Sequence, residues 1–211
     1  MTTQIDHLVY ACPNLNDAIE EMAALTGVRA AHGGQHPGAG TRNALLSLGQ
    51  RRYLEIIGPD PAQPDPPEAR SFGLDALRHP ALRAWAARPD DLEAAMRAAQ
   101  EMGVDLGEGV AGRRHTPDGA LLQWRMTAAP DTDGPAIIPF LIDWGVSPHP
   151  SARAPGEVTL AQFVILTPDP DRVTRLFAAL GLTVTVEQAA KEGLRAVLRS
   201  PTGAEVTLAS D

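Results

Sequence analysis

The strongest constraint on this chain is a plan that it repeats three times. A strand-like apolar run ends at a proline followed by short polar residues, a helix with one apolar stripe follows, and a glycine stops it. The helix starts read Pro13-Asn14-Leu15-Asn16-Asp17, Pro89-Asp90-Asp91 and Pro168-Asp169-Pro170-Asp171. Each supplies short side chains that can accept the orphan N–H groups of a first turn. The stripes are Ala18, Ile19, Met22 and Leu25, then Leu92, Ala95, Met96, Ala99 and Met102, then Val173, Leu176, Phe177 and Leu180, all at helical spacing. Gly27, Gly103 and Gly181 provide the left-handed residue that ends many helices. A recurrence of roughly 75 residues points to internal duplication of one supersecondary unit.

Between the helices the strands come in clusters. In the first round they are expected over 5–11, 43–48 and 52–57. The Gly-rich segment Gly33-Gly34-Gln35-His36-Pro37-Gly38-Ala39-Gly40 reads either as a lid or pocket rim or as a plain connection whose glycines permit tight turns. In the second they are expected over 82–88, 120–127 and 137–144, the last two separated by a loop through Pro130-Asp131-Thr132-Asp133-Gly134-Pro135. In the third they are expected over 158–167, 183–187, 194–199 and 205–209. Single helices between clustered strands indicate an α+β chain; a doubly wound sheet would alternate strand and helix one for one. The organisation read here is a first module at 1–58, a Pro-rich connection at 59–80 with a short helical piece near Leu74–Leu77, a second module at 81–147 and a third at 148–211, packed as one unit. No G-x-G-x-x-G or P-loop spacing is present, so no nucleotide site is implied.

Composition narrows the partners. With 18 Lys+Arg against 26 Asp+Glu the net charge is −8, which disfavours nucleic acid and anionic membranes while leaving room for a local basic pocket. No apolar run approaches the roughly 20 residues of a membrane span. Cys12 is the one cysteine, so no internal disulfide can form and a reducing, cytoplasmic setting is expected. Met1-Thr2-Thr3-Gln4 runs into the first strand with no charged or apolar leader pattern.

Two strands carry chemistry. Ile5-Asp6-His7-Leu8-Val9-Tyr10-Ala11 holds His7, and Tyr53-Leu54-Glu55-Ile56-Ile57 holds Glu55. A carboxylate mid-strand among apolar residues is costly to bury unless it is paired, ligating or protonated. Matching Pro89 to Pro13 sets Arg83 opposite His7, and matching Pro168 to Pro13 sets Gln162 there. A His–Glu pair beside Arg83 could act as a base with an anion clamp, the carboxylate fixing the tautomer and the guanidinium holding an oxyanion. The plain alternative for His7 is a buried histidine satisfied by a backbone carbonyl. Arg83 and Arg125 read equally as anion binders or as surface ion-pair residues. Trp85, Trp124 and Trp144 read as core or pocket wall. Asp143, between Ile142 and Trp144, is expected to be buried against an arginine. His36 and Asn43 flank the Gly-rich segment as candidate substrate contacts. His149, in Pro148-His149-Pro150, reads as loop structure, and Cys12 has no histidine placed to activate it.

Together Ile-Asp-His-Leu-Val-Tyr-Ala, the Pro-Asn-Leu helix start and Tyr-Leu-Glu-Ile-Ile-Gly resemble a βαβββ module of the vicinal oxygen chelate superfamily. His36-Pro37-Gly38, Gly40-Thr41-Arg42-Asn43-Ala44-Leu45, Pro117-Asp118-Gly119 with Trp124-Arg125, and Pro139 to Gly145 are similar to its glyoxalase-like domain family. The resemblance implies repeated βαβββ modules forming half-open mixed sheets around a pocket, with helices outside. It also implies a metal held by a first-strand His or Gln and a last-strand Glu. His7 and Glu55 match both positions, and Gln162 would be a third ligand if modules one and three paired. Arg83 departs from the pattern, because a guanidinium cannot ligate and repels a cation. In the second module the last-strand position falls on Gln123 or near Asp143. In the third it falls on Thr207, with Glu205 two residues earlier.

The expected function is therefore a glyoxalase-like lyase, isomerase or dioxygenase acting on a small, oxygen-rich, anionic molecule by proton abstraction with oxyanion stabilisation. Its catalytic residues would be His7, Glu55 and Arg83. Its substrate contacts would be His36, Asn43, Trp85, Arg125, Asp143 and Trp144. One divalent metal (Fe, Mn, Ni or Zn) at His7, Glu55 and Gln162, or none, fits this reading, and proteins of this kind often form homodimers. The alternative is a non-catalytic protein of the same fold that sequesters a small molecule, as bleomycin-resistance proteins do.

Overall fold

A computed structural model describes residues 1–116, 118–129 and 134–210. Pro117 of the Pro-Asp-Gly motif and residues 130–133 of the expected loop lie outside the described residues. The order is β1 (Thr3–Ala11), α1 (Leu15–Thr26), β2 (Ala31–His36), β3 (Thr41–Ser47), β4 (Tyr53–Pro59), β5 (Ala81–Pro89), α2 (Leu92–Glu101), β6 (Val110–His115), β7 (Leu121–Met126), β8 (Phe140–Asp143), β9 (Thr159–Thr167), α3 (Pro170–Ala179), β10 (Thr185–Gln188), β11 (Gly193–Arg199) and β12 (Glu205–Ala209). Short 3-10 turns sit at Ser71–Gly73 and Pro150–Ala152.

The three helix starts are built as the repeat predicts. Asn14 Oδ1 accepts from the N–H groups of Asn16 and Asp17, Asp91 from Ala94 and Asp169 from Arg172. Gly27, at φ 75°, ends α1; a side chain in that left-handed region would be strained.

The first two modules share one mixed eight-stranded sheet in the order β2-β3-β4-β1-β5-β8-β7-β6. In each, the first strand lies parallel to the fourth, β1 on β4 and β5 on β8, and β1 joins β5 antiparallel at the centre. The third round forms its own sheet, β10-β9-β11-β12, in which β9 pairs parallel with the strand after its helix. The local plan is thus repeated three times, while the strand pairing is repeated twice.

Period-two alternation gives the eight-stranded sheet two faces. Leu8, Leu54, Ile56, Leu82, Trp85 and Ala87 face a core shared with Leu15, Ile19 and Met22 of α1 and with Phe163, Phe177, Leu194 and Leu198 of the third module. Trp85 is fully buried, its ring edge-on to Phe163 and Phe177 at 5.2 and 5.6 Å between centroids, and its Nε1–H donates to Ile137 O. The other face carries Val9, Tyr53, Ile57, Ala84, Ala86, Phe140, Ile142 and Trp144. The sheet curls around this face until its two edge strands meet, where Arg114 of β6 donates to Gly33 O of β2.

Much of the expected Gly-rich loop is strand β2 with a tight turn after it. Gly33 is required there because the Asn43 side chain crosses the strand: a Cβ would sit 2.3 Å from Asn43 Oδ1. No helix among the described residues is long and apolar enough to cross a membrane.

Candidate active site

The inner face of the curl encloses a cavity of about 510 Å³. His7, His36, Asn43, Glu55 and Arg114 provide its buried or half-buried polar lining together with Thr41 and Ser71, and the exposed Arg113 also borders it. Tyr53, Phe72, Trp124, Met126, Phe140, Ile142 and Trp144 provide most of the rest.

His7 owes its setting to an irregularity in β1. Ile5 is opposite Ala87 and His7 opposite Ala86, so Asp6 is an extra residue in the strand. Simple alternation would send Asp6 and His7 to opposite faces; a bulge lets consecutive side chains work together. Asp6 Oδ1 lies 2.7 Å from His7 Nδ1. The carboxylate is wholly buried, yet amply supplied with donors. Its Oδ2 accepts from Arg88 at 2.7 Å, His149 Nε2 at 3.0 Å and Trp144 Nε1 at 3.2 Å. Burial alone would raise its pKa; the hydrogen bonds and charge of His149 and His7 outweigh that and hold it well below the usual carboxylate range.

The tautomers follow from this. An ionised carboxylate only accepts, so His7 must present Nδ1–H to Asp6, which leaves Nε2 as the ring position turned to the cavity. His149 Nδ1 lies against the Ser151 N–H at 3.3 Å and the Ser151 hydroxyl at 2.7 Å, so its Nε2 carries the proton given to Asp6. The His7 ring is stacked on Tyr53 at 4.6 Å and meets the edge of Phe140 at 5.4 Å, which fixes its plane. Burial pushes the Tyr53 phenol well above its ordinary value, with Asp6 and Glu55 adding to the rise, so this wall is neutral.

Glu55 stands across from that nitrogen, its Oε2 3.6 Å from His7 Nε2. Its other oxygen accepts from Asn43 Nδ2 at 2.6 Å. Asn43 Nδ2 is also 3.3 Å from His36 Nε2, and His36 Nδ1 is 2.9 Å from Thr41 Oγ1. Burial, with Arg114 assisting and Glu55 opposing, keeps the His36 pKa below its ordinary value. Asn43 Oδ1 is buried without a hydrogen-bond partner, an orientation consistent with the amide turning its donor to the carboxylate.

The buried cation of the cavity is Arg114, not Arg83; Arg113 also lines it but is exposed. Arg114 is 5% exposed and is held by Gly33 O. Among the described residues no carboxylate forms an ion pair with it, although Glu55 and Tyr53 are near enough to act on its charge. Arg83 is buried outside the lining, with Nε donating to Phe72 O at 3.1 Å. It is the extra residue of β5 where Val9 faces Ala84 and Tyr10 faces Leu82, and it braces the turn that carries Phe72 at φ 67°.

Other expected contacts are corrected by the same geometry. Trp85 belongs to the core on the opposite face of the sheet. Arg125 is exposed and pairs with Glu93 at 2.9 Å. Asp143 is exposed and caps the Gly145 N–H at 2.8 Å, because β8 ends there in a turn and its side chain looks outward. Gln162 is exposed on β9 of the smaller sheet and does not reach His7 or Glu55, since module one pairs with module two. His36, Asn43 and Trp144 do line the cavity. Asp6, His149 and Arg114 received no role from sequence. A buried-type Asp directly beside His7 was the available signal for the first; the other two depend on tertiary placement.

Metal binding can be tested against this donor set. His7 Nε2 and Glu55 Oε2 offer two ligands, whereas a catalytic site normally takes about three from the protein. The facing strand offers Phe140 and Ile142, with Trp144 beyond them. Among the described residues no three His, Cys, Asp or Glu side chains are placed to hold an ion. The residues present do not make a complete metal centre.

Comparison with known proteins gives the following. The family model described as "Glyoxalase-like domain" matches residues 5–181. A hypothetical protein from Staphylococcus aureus is similar in structure, with a TM-score of 0.59 at 13% identity, covering 97% of this chain and 85% of that one. Methylmalonyl-CoA epimerase from Mycobacterium tuberculosis gives a TM-score of 0.43 at 20% identity, covering 67% of this chain and 87% of its own. No curated protein matches the sequence.

Proposed function

Since the chain belongs to the glyoxalase-like domain family, we propose that it is an enzyme that abstracts a proton from a small anionic, oxygen-bearing molecule, with His7 as general base. The observation that carries this is the Asp6–His7 hydrogen bond, which fixes the tautomer and leaves Nε2 facing the cavity opposite Glu55.

When Nε2 takes a proton, the new imidazolium has Asp6 on its far side and Glu55 on its near side. The base is thereby strengthened where charge develops, as acid–base catalysis requires. Asn43 holds Glu55 so that one oxygen stays turned to His7. The electron pair left on the substrate moves towards an oxygen, and Arg114 is the buried cation available to stabilise that oxyanion. The aromatic walls exclude water and strengthen each of these interactions. With two donors on one wall and an apolar wall opposite, no step is assigned to a metal. Lyase and isomerase chemistry both begin with this proton transfer.

The test is hydrogen–deuterium exchange in D2O on a panel of enolisable carboxylates and 2-oxo acids, followed by proton NMR. Enzyme-dependent loss of one C–H signal is expected, slowed by about 10²-fold or more in H7A. Exchange that is equally fast in H7A would overturn the assignment of His7. Ligand binding without exchange of any panel member would favour the sequestering protein instead.

A further inference from the structure

The lining of the cavity narrows its ligand beyond an oxygen-rich anion. Its charged and hydrogen-bonding groups are gathered on β1, β3 and β4, with His36 beside them and Arg114 at the edge where β6 meets β2. Apart from Ser71 and the exposed Arg113, the remaining wall is aromatic and apolar. Trp124 and Trp144 lie 5.4 Å apart between ring centroids, and Phe140 stands 6.2 Å from Phe72. The chain makes room for this wall at Gly112, the cross-strand partner of Trp124. A Cβ on Gly112 would fall 2.3 Å from the Trp124 ring, so the indole lies flat over bare backbone. The Trp124 Nε1–H is directed to Met126 Sδ at 3.2 Å and the Trp144 Nε1–H to Asp6, so both rings spend their donors on the protein.

Electrostatics adds a count. Of the three buried carboxylates among the described residues, Asp60 is held by Gln35 and Gln63, Asp6 is answered by Arg88 and two histidines, and Glu55 stands between His7 and Asn43. Of the two arginines in the lining, Arg113 is exposed to solvent and Arg114 is buried, so Arg114 is the buried cation left over. A buried cation without a bound counter-ion is costly, and one guanidinium suits a single carboxylate or comparable anionic group. A multiply charged ligand would find one buried cation facing Glu55, and a second charge would either sit against tryptophan and phenylalanine or have to reach the solvent-exposed Arg113.

Resting on the acid–base reading of this cavity, we propose that its ligand is a monoanion with a flat apolar or aromatic body, the anionic group held by Arg114 and the body lying along Trp124, Trp144 and Phe140. Three probes separate the elements of this recognition. Phenylacetate has the ring and one carboxylate, glutarate has similar length with two carboxylates and no ring, and 2-phenylethanol has the ring with no charge. Dissociation constants are read from the ligands' own proton signals, which do not depend on the tryptophans.

Phenylacetate is expected to bind about tenfold more tightly than either of the others. R114Q and the more conservative R114K should both weaken phenylacetate by about that factor and leave 2-phenylethanol unchanged. W124A should weaken both ring-bearing probes. Glutarate binding as tightly as phenylacetate would overturn the apolar body, and equal binding of 2-phenylethanol would overturn the role of Arg114. Failure of phenylacetate to saturate would overturn the proposal outright. H7Q keeps this apart from the catalytic reading: the probe preference should survive in it while proton exchange is lost. A wild-type protein that selects phenylacetate yet exchanges no C–H would sink the catalytic reading and leave the ligand class standing.

Discussion

Asp6 and His7 are neighbours in one strand, and their side chains nevertheless meet at 2.7 Å. One extra residue in β1 makes this possible, and most of the chemistry proposed for the cavity rests on it.

That relationship gives a direct prediction for D6N. Arg88, His149 and Trp144 donate to the Oδ2 side and would claim the amide oxygen, turning its NH2 towards His7. His7 would then accept at Nδ1 and carry its proton on Nε2, where it can no longer act as a base. Nitrogen-15 NMR of the histidine ring should show the change of tautomer, and proton exchange should fall by about 10²-fold or more. An unchanged tautomer in folded D6N would contradict the network.

W85A probes the seam between the two sheets. The indole is fully buried against Phe163 and Phe177, so its loss removes packing and leaves a void. Destabilisation of about 3–5 kcal/mol is expected in urea unfolding. A cost below about 1 kcal/mol would mean that the third module is not packed there as described.

His36 gives a pH dependence. Burial, opposed by Glu55, lowers its folded pKa below the ordinary 6.5. As pH falls the unfolded chain takes this proton first, so the contribution of His36 to stability is present above 6.5 and is lost as pH falls towards the folded value. H36Q should show a shallower loss of stability than wild type between about pH 7 and 5. An equal slope in the two proteins would rule out His36 as a source of that dependence.

Cys12 should be inert in the native protein. Its thiol is buried, donates to Ile57 O at 3.3 Å and is pushed up to about 12 by burial. The thiolate is the reactive form, so iodoacetamide at mild alkaline pH should modify Cys12 only as fast as the fold opens. Prompt labelling of folded protein would show the position to be accessible.

The parts of this protein legible in its sequence are those with local causes. The Pro-polar helix starts, the apolar stripes and the stopping glycines each act within a few residues, and all three helices sit where they predict. His7 and Glu55 also come together, because β1 and β4 are parallel neighbours and both side chains face inward. The remainder depended on events with no local signature. A single extra residue turned Asp6 inward, and another turned Arg83 away from the cavity. Curling of the sheet carried Arg114 from one edge to the other, and strand pairing put Gln162 in a separate sheet. Gapless matching of the repeats is blind to such shifts, since one inserted residue reverses which side chains face the cavity.

The bond from His149 to Asp6 joins residues 143 positions apart. During synthesis, which proceeds from the N-terminus and lets early segments fold first, the strands bearing His7 and Glu55 can associate long before His149 leaves the ribosome. Until it does, Asp6 lacks one of its donors and the ring it orients is less firmly held. The first module supplies the base, but the site ripens only when the connection to the third module has been made.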